Sequence, residues 1–88
     1  MEDDGLPVFP GFREIALRRR RQVIEELAAA RREASLSQTE VAARMGTSQS
    51  VVARLESGQI DARLSTLQRY AAAIGHDLQV ELRPREPR

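Results

Sequence analysis

The chain contains no cysteine, no lysine and no tryptophan, and a single histidine, His76. Without cysteine, disulfide staples and thiolate chemistry are excluded. One histidine cannot build a zinc site alone, and no metal or other cofactor is expected. No apolar run approaches the roughly 20 residues that a membrane helix requires, and no signal-peptide pattern opens the chain. The expected compartment is therefore the cytoplasm, with no membrane partner. There is no histidine–carboxylate pairing and no glycine-rich phosphate loop. With 88 residues there is room for one domain with a thin core, too thin to keep water out of a pocket. No catalytic residue is expected, so the enzyme class is set aside.

What is present is ordinary for a globular chain: 41% apolar and 31% charged residues. The 14 basic residues, all arginine, oppose 13 acidic ones for a net charge of +1, too close to neutral to announce nucleic acid by itself. Arginine offers a flat, five-donor fork suited to phosphates and guanine edges. A GC-rich genome, whose codons favour arginine and alanine, explains the same bias without function.

Residues 1–11, MEDDGLPVFPG, carry two prolines, two glycines and an acidic cluster, and read as an extended arm. From Phe12 to about Ala34 the pattern is helical, with Ile15, Val23, Ile24, Leu27, Ala28 and Ala30 mostly on one side. Arg18 to Arg21 occupy a full turn and form a solvated collar rather than a stripe. Ser37-Gln38-Thr39-Glu40 is a capping box that opens a second helix, carrying Val41, Ala42 and Met45 and stopping at Gly46. A third helix starts at Ser48 or Gln49, with Thr47 expected as its N-cap, buries Val52 and Leu55, and ends at Ser57-Gly58. After a polar connection over 59–63, a fourth helix at about Ser65 to Ile74 turns Leu67, Tyr70, Ala71 and Ile74 inward and is ended by Gly75. Residues 77–82, DLQVEL, alternate strictly, which is strand periodicity. Pro84 and Pro87 close a short tail over 84–88.

The segment Gln38 to Ser57 meets the demands of a helix-turn-helix. Ala42 is small where two helices cross closely, Gly46 tolerates the positive φ of a sharp turn, and Val41, Val52 and Leu55 form an apolar wedge. On these residues the chain resembles the Cro/repressor-type (XRE) helix-turn-helix family, through ARREASLSQTEVAARMGTSQSVVARLESG and then LSTLQRYAAAIG. The resemblance implies an all-α, lambda-repressor-like bundle of about four helices over residues 12–75, with the motif at 38–57.

It also implies roles for single residues. Gln38 matches a glutamine that holds a DNA phosphate and braces the recognition helix. Gln49 matches one that reads a base edge, and a side-chain amide can bond adenine at N6 and N7 together. Thr47, Ser50 and Arg54 match further DNA-facing positions, and Ser48 and Ser57 match backbone contacts. Val51, apolar but off the buried edge, suits a thymine methyl. Arg44 and Arg63 are lesser candidates for phosphate contact. Arg31 and Glu56 match a partly buried structural salt bridge. Taken singly, each of these residues reads as polar surface or a helix cap; their weight comes from the assembled pattern. Tyr70 reads as packing and His76 as a solvated turn residue. Many family members carry glycine where Ser35 stands, and serine accepts a left-handed cap less well, by about 1 kcal/mol.

The long first helix and the alternating segment over 76–83 look like additions to the family core. The latter resembles the C-terminal strand of HigA- and HipB-type antitoxins, in which Leu78, Val80 and Leu82 would lie on one face and pair across a dimer axis. The implied function is a homodimeric regulator, a repressor or an antitoxin, on a palindromic DNA operator. A cognate toxin protein is then a further partner, with the acidic arm as its binding segment or as a plain leader. The competing expectation is an interaction module that binds and neutralises a partner protein without significant DNA binding.

Overall fold

The computed structural model describes residues 12–82 and Pro84, with the side chains of 12–16 left aside. The readings of residues 1–11 as an arm and of Ile15 as an apolar-face residue fall outside what is described. Four helices follow in chain order: α1 (Phe12–Glu33), α2 (Gln38–Met45), α3 (Gln49–Glu56) and α4 (Leu64–Ala73). Among the described residues, no helix is long and apolar enough to cross a membrane.

The second half of α1 buries Ile24, Leu27 and Ala28 against α3 and α4. Leu17 and the arginine run 18–21 stay exposed on the first half, as expected of a collar. Arg20 in that run bonds Asp61 of the α3–α4 connection. That connection is less polar in its packing than its sequence suggests, because Ile60 and Ala62 rest half-buried against the core. The core is completed by Val41, Ala42 and Met45 of α2, Val52 and Leu55 of α3, and Leu67, Tyr70, Ala71 and Ile74 from α4 and its end. Ala42, at 2% exposure, lets α2 lie close to α3, which is the role its small side chain predicts.

Each helix ends in the same way. An amide two or three residues past the last helical residue reaches back to a carbonyl five residues earlier: Leu36 to Arg31, Thr47 to Ala42, Gln59 to Arg54 and His76 to Ala71, at 3.1, 2.9, 2.9 and 2.8 Å. This closure needs a left-handed residue just before that amide. Gly46, at φ 77°, supplies it between α2 and α3. At the end of α1 the position is Ser35, at φ 58°, the one non-glycine residue with positive φ among those described. Ser35→Gly is therefore expected to stabilise the fold by about 1 kcal/mol, since it removes the Cβ conflict of the left-handed conformation. Urea unfolding of the two proteins checks this, and an unchanged midpoint would show the strain to be relieved elsewhere.

Two expectations about helix boundaries need correction. Thr47 is not the N-cap of α3: Ser48 is, with extended backbone and its hydroxyl accepting from the Val51 amide at 3.3 Å. The closing bond from the Thr47 amide draws that residue into the end of α2, so Ser48 is the first free to turn its side chain onto α3. The fourth helix also begins and ends one residue earlier than its sequence pattern suggests. Residues 77–82 form no strand, and none forms among the described residues. A strand exists only with a ladder partner, and the described chain offers none. Leu78 packs partly on the core, while Val80 and Leu82 are 66% and 101% exposed.

Candidate nucleic-acid interface

The capping box at the start of α2 forms in full. The Glu40 amide donates to Ser37 Oγ at 3.0 Å, and the Ser37 amide donates to Glu40 Oε1 at 2.7 Å. These bonds hold the Glu40 carboxyl below its usual range. They also fix where Gln38, the first residue of α2, emerges beside the first turn of α3. Gln49 opens α3 and donates its Nε2 to Gln38 Oε1 at 2.7 Å. The bracing of Gln49 by Gln38 is thus present in the chain by itself.

Around Gln49, Ser48, Ser50, Arg54 and Ser57 are exposed, and Thr47 and Val51 are half-buried. Ser48 and Ser50 share a hydroxyl contact at 3.2 Å, and Ser57 Oγ donates to the Arg54 carbonyl at 3.2 Å. Val51 touches the rim of the core, so only part of it is available outside. Seven of the eight residues read as DNA-facing lie on one continuous stretch, 47–57, and the eighth, Gln38, reaches it by its side chain. Arg63 is exposed at the start of α4. Arg44 is engaged instead, donating Nη1 to the Ala73 carbonyl at 2.9 Å, so it ties α2 to the last turn of α4.

Beneath this surface sits Glu56. Its carboxylate accepts from Arg31 Nε at 2.7 Å and Arg31 Nη2 at 3.1 Å, from Gln38 Nε2 at 3.0 Å, and from the Tyr70 hydroxyl. The Arg31 and Glu56 side chains are 11% and 10% exposed, so the expected partly buried pair is formed, with bidentate geometry. Arg31 Nη1 also donates to the Leu36 carbonyl at 2.9 Å, pinning the α1–α2 turn. The sequence marks Tyr70 as packing. Its ring is packing, at 2% exposure, but its hydroxyl closes the network. Nothing in the sequence marks that bond, because Tyr70 and Glu56 are brought together by tertiary packing between α4 and the end of α3. The same holds for the Gln38–Glu56 bond.

Burial pushes the Glu56 carboxyl up, but the bonds from Arg31, Tyr70 and Gln38 more than offset it and leave it below its ordinary value. Burial and the carboxylate beside it push the Tyr70 hydroxyl well up. A carboxyl held low in the fold contributes stability that is present above its unfolded value, about 4.3, and lost as pH falls through its folded value. The unfolding midpoint is thus expected to hold from pH 7 to about 5 and to drop below about pH 4, with a shallower drop in Glu56→Gln. Equal acid sensitivity in both proteins would show that other carboxylates carry it.

Residues 27–80 match the family model described as helix-turn-helix. Over 76 residues the chain is 45% identical to Antitoxin HigA1 of Mycobacterium tuberculosis strain CDC 1551 / Oshkosh, and likewise to Antitoxin HigA1 of strain ATCC 25618 / H37Rv. Each alignment covers 86% of this chain and 50% of the relative, so the chain spans about half the length of the curated relatives it matches. No solved structure matches. With the motif, the turn geometry and the family match in agreement, the chain belongs to the XRE-type helix-turn-helix family.

Proposed function

We propose that this chain is a sequence-specific DNA-binding regulator of the cytoplasm, a repressor, which binds a palindromic operator as a homodimer with α3 in the major groove. The observation that carries this reading is the Gln38–Gln49 amide pair, two adjacent helix starts joined by a 2.7 Å bond beside exposed Ser50 and Arg54. Phosphate contacts, Gln38, Thr47, Ser48 and Ser57 among them, supply affinity. Gln49, Ser50, Val51 and Arg54 supply sequence choice. In the dimer, residues 76–83 of two copies pair, covering Val80 and Leu82, and the half-sites lie about 34 Å apart.

The relatives' name, antitoxin, supports the further reading that a toxin protein is a second partner. The competing reading, a module that neutralises such a protein without significant DNA binding, is favoured by the net charge of +1, low for a DNA-binding surface. Site selection from random duplex DNA, with the solution mass determined alongside, separates the two. An enriched palindrome and a dimeric mass support the regulator. A folded protein that enriches nothing, and binds no DNA fragment at low salt, leaves the interaction module. On the selected site, Gln49→Ala is expected to lose about 1–3 kcal/mol while nonspecific affinity barely changes. Equal losses on both DNAs would remove the base-reading role.

A further inference from the structure

Glu56 lies below the proposed reading surface, and all four bonds to its carboxylate come from donors. Oε1 accepts from Arg31 Nη2 and Gln38 Nε2, and Oε2 accepts from Arg31 Nε and the Tyr70 hydroxyl. An ionised carboxylate can only accept. The Gln38 atom against it must therefore be the amide nitrogen, since a carbonyl oxygen there would meet like charge. That choice aims Gln38 Oε1 at α3. Facing an acceptor, Gln49 must in turn present its nitrogen, as it does at 2.7 Å.

One Nε2 hydrogen of Gln49 is thereby used inside the protein. What remains for a ligand is one N–H and one carbonyl oxygen. That is the complement of the adenine major-groove edge, where N7 accepts and N6–H donates. Guanine presents two acceptors, N7 and O6. An unbraced glutamine amide can meet them with both of its hydrogens, and a braced one cannot.

We infer that Glu56 is a positioning residue for base choice: its charge, passed through the Gln38 amide, orients Gln49 to accept adenine and refuse guanine. The inference rests on the reading of Gln49 as a base contact. It gives the Arg31–Glu56 pair a part in specificity beyond holding helices together. Tyr70 lies off this path, because its hydroxyl meets Oε2 and not the Oε1 that holds Gln38.

The test is selection from a random duplex pool with the wild-type chain, Gln49→Ala, Glu56→Gln, Gln38→Met and Tyr70→Phe, each checked for cooperative unfolding. Wild type is expected to enrich adenine at one position per half-site, identified as the position at which Gln49→Ala loses preference. Glu56→Gln removes the charge and lets the Gln38 amide turn over, so adenine-over-guanine preference there is expected to fall by about tenfold. Preferences at other positions should persist. Gln38→Met keeps the ion pair intact and is expected to relax the same position, even where Glu56→Gln folds poorly. Tyr70→Phe perturbs the same network without touching the path and should retain the adenine preference.

If either folded Glu56→Gln or Gln38→Met keeps the wild-type preference at that position, the inference is overturned while the DNA reading stands. If Tyr70→Phe relaxes the position as much as the others do, loosened packing explains the effect and the inference is again overturned. If the wild-type chain enriches no site, both the DNA reading and this inference fall.

Discussion

Glu56→Ala is expected to lower the unfolding free energy by about 3–5 kcal/mol, the usual cost of removing one partner from a buried ion pair. A domain of this size carries on the order of 5–10 kcal/mol in total, so the variant should lose roughly half of its stability and unfold at a much lower urea concentration. The cost arises from what stays behind. Arg31 keeps its charge at 11% exposure with Nε and Nη2 unmet, and the Tyr70 hydroxyl and Gln38 amide lose their acceptor at the same time. The double change Arg31→Met with Glu56→Leu should cost clearly less than the single one, because no charge is stranded. Urea unfolding followed by circular dichroism reads both. A single-variant loss under about 1 kcal/mol would place the pair with solvent-screened surface bridges.

The second large effect is expected from Leu55→Ala, at about 2–5 kcal/mol. Leu55 is 2% exposed and sits on the inner edge of α3 beside Val52, which is fully buried. These two are the side chains that α3, only eight residues long, buries in the core. An isolated helix that short is not stable in water. Truncating Leu55 therefore loses buried surface and leaves a cavity directly under the helix that carries Gln49, Ser50 and Arg54. Affinity for a selected DNA site should fall in parallel with the folded fraction. A variant that unfolds at the wild-type urea midpoint would show that the core collapses to fill the gap.

Much of the fold was legible along the chain because its signals are local. A capping box needs only residues 37–40, and all its bonds formed. Helix ends follow from Gly46 and Gly75, and from the conflict at Ser35, because the left-handed region discriminates by side chain alone. Helical spacing placed Leu67, Tyr70, Ala71 and Ile74 inward, and all four are buried. Where the local reading failed, two local signals competed. Thr47 and Ser48 are both good caps, and the closing bond of α2 chose between them. The alternation over 77–82 is a real pattern, but period two specifies faces and not a partner.

The sequence by itself determined the helix boundaries to within about a residue, the buried faces and the turn between α2 and α3, since propensity, capping and periodicity act over a few neighbouring residues. The family likeness added the pairing of Arg31 with Glu56 and of Gln38 with Gln49. Only the tertiary structure decided that these two pairs are one network. Gln38 and Glu56 lie 18 positions apart, Tyr70 and Glu56 14, and Arg31 and Glu56 25. No local rule joins residues at such separations. Packing α1, α2 and α4 around the end of α3 brings their donors to one carboxylate, and the acceptor-only chemistry of that carboxylate then orients the amides at the surface.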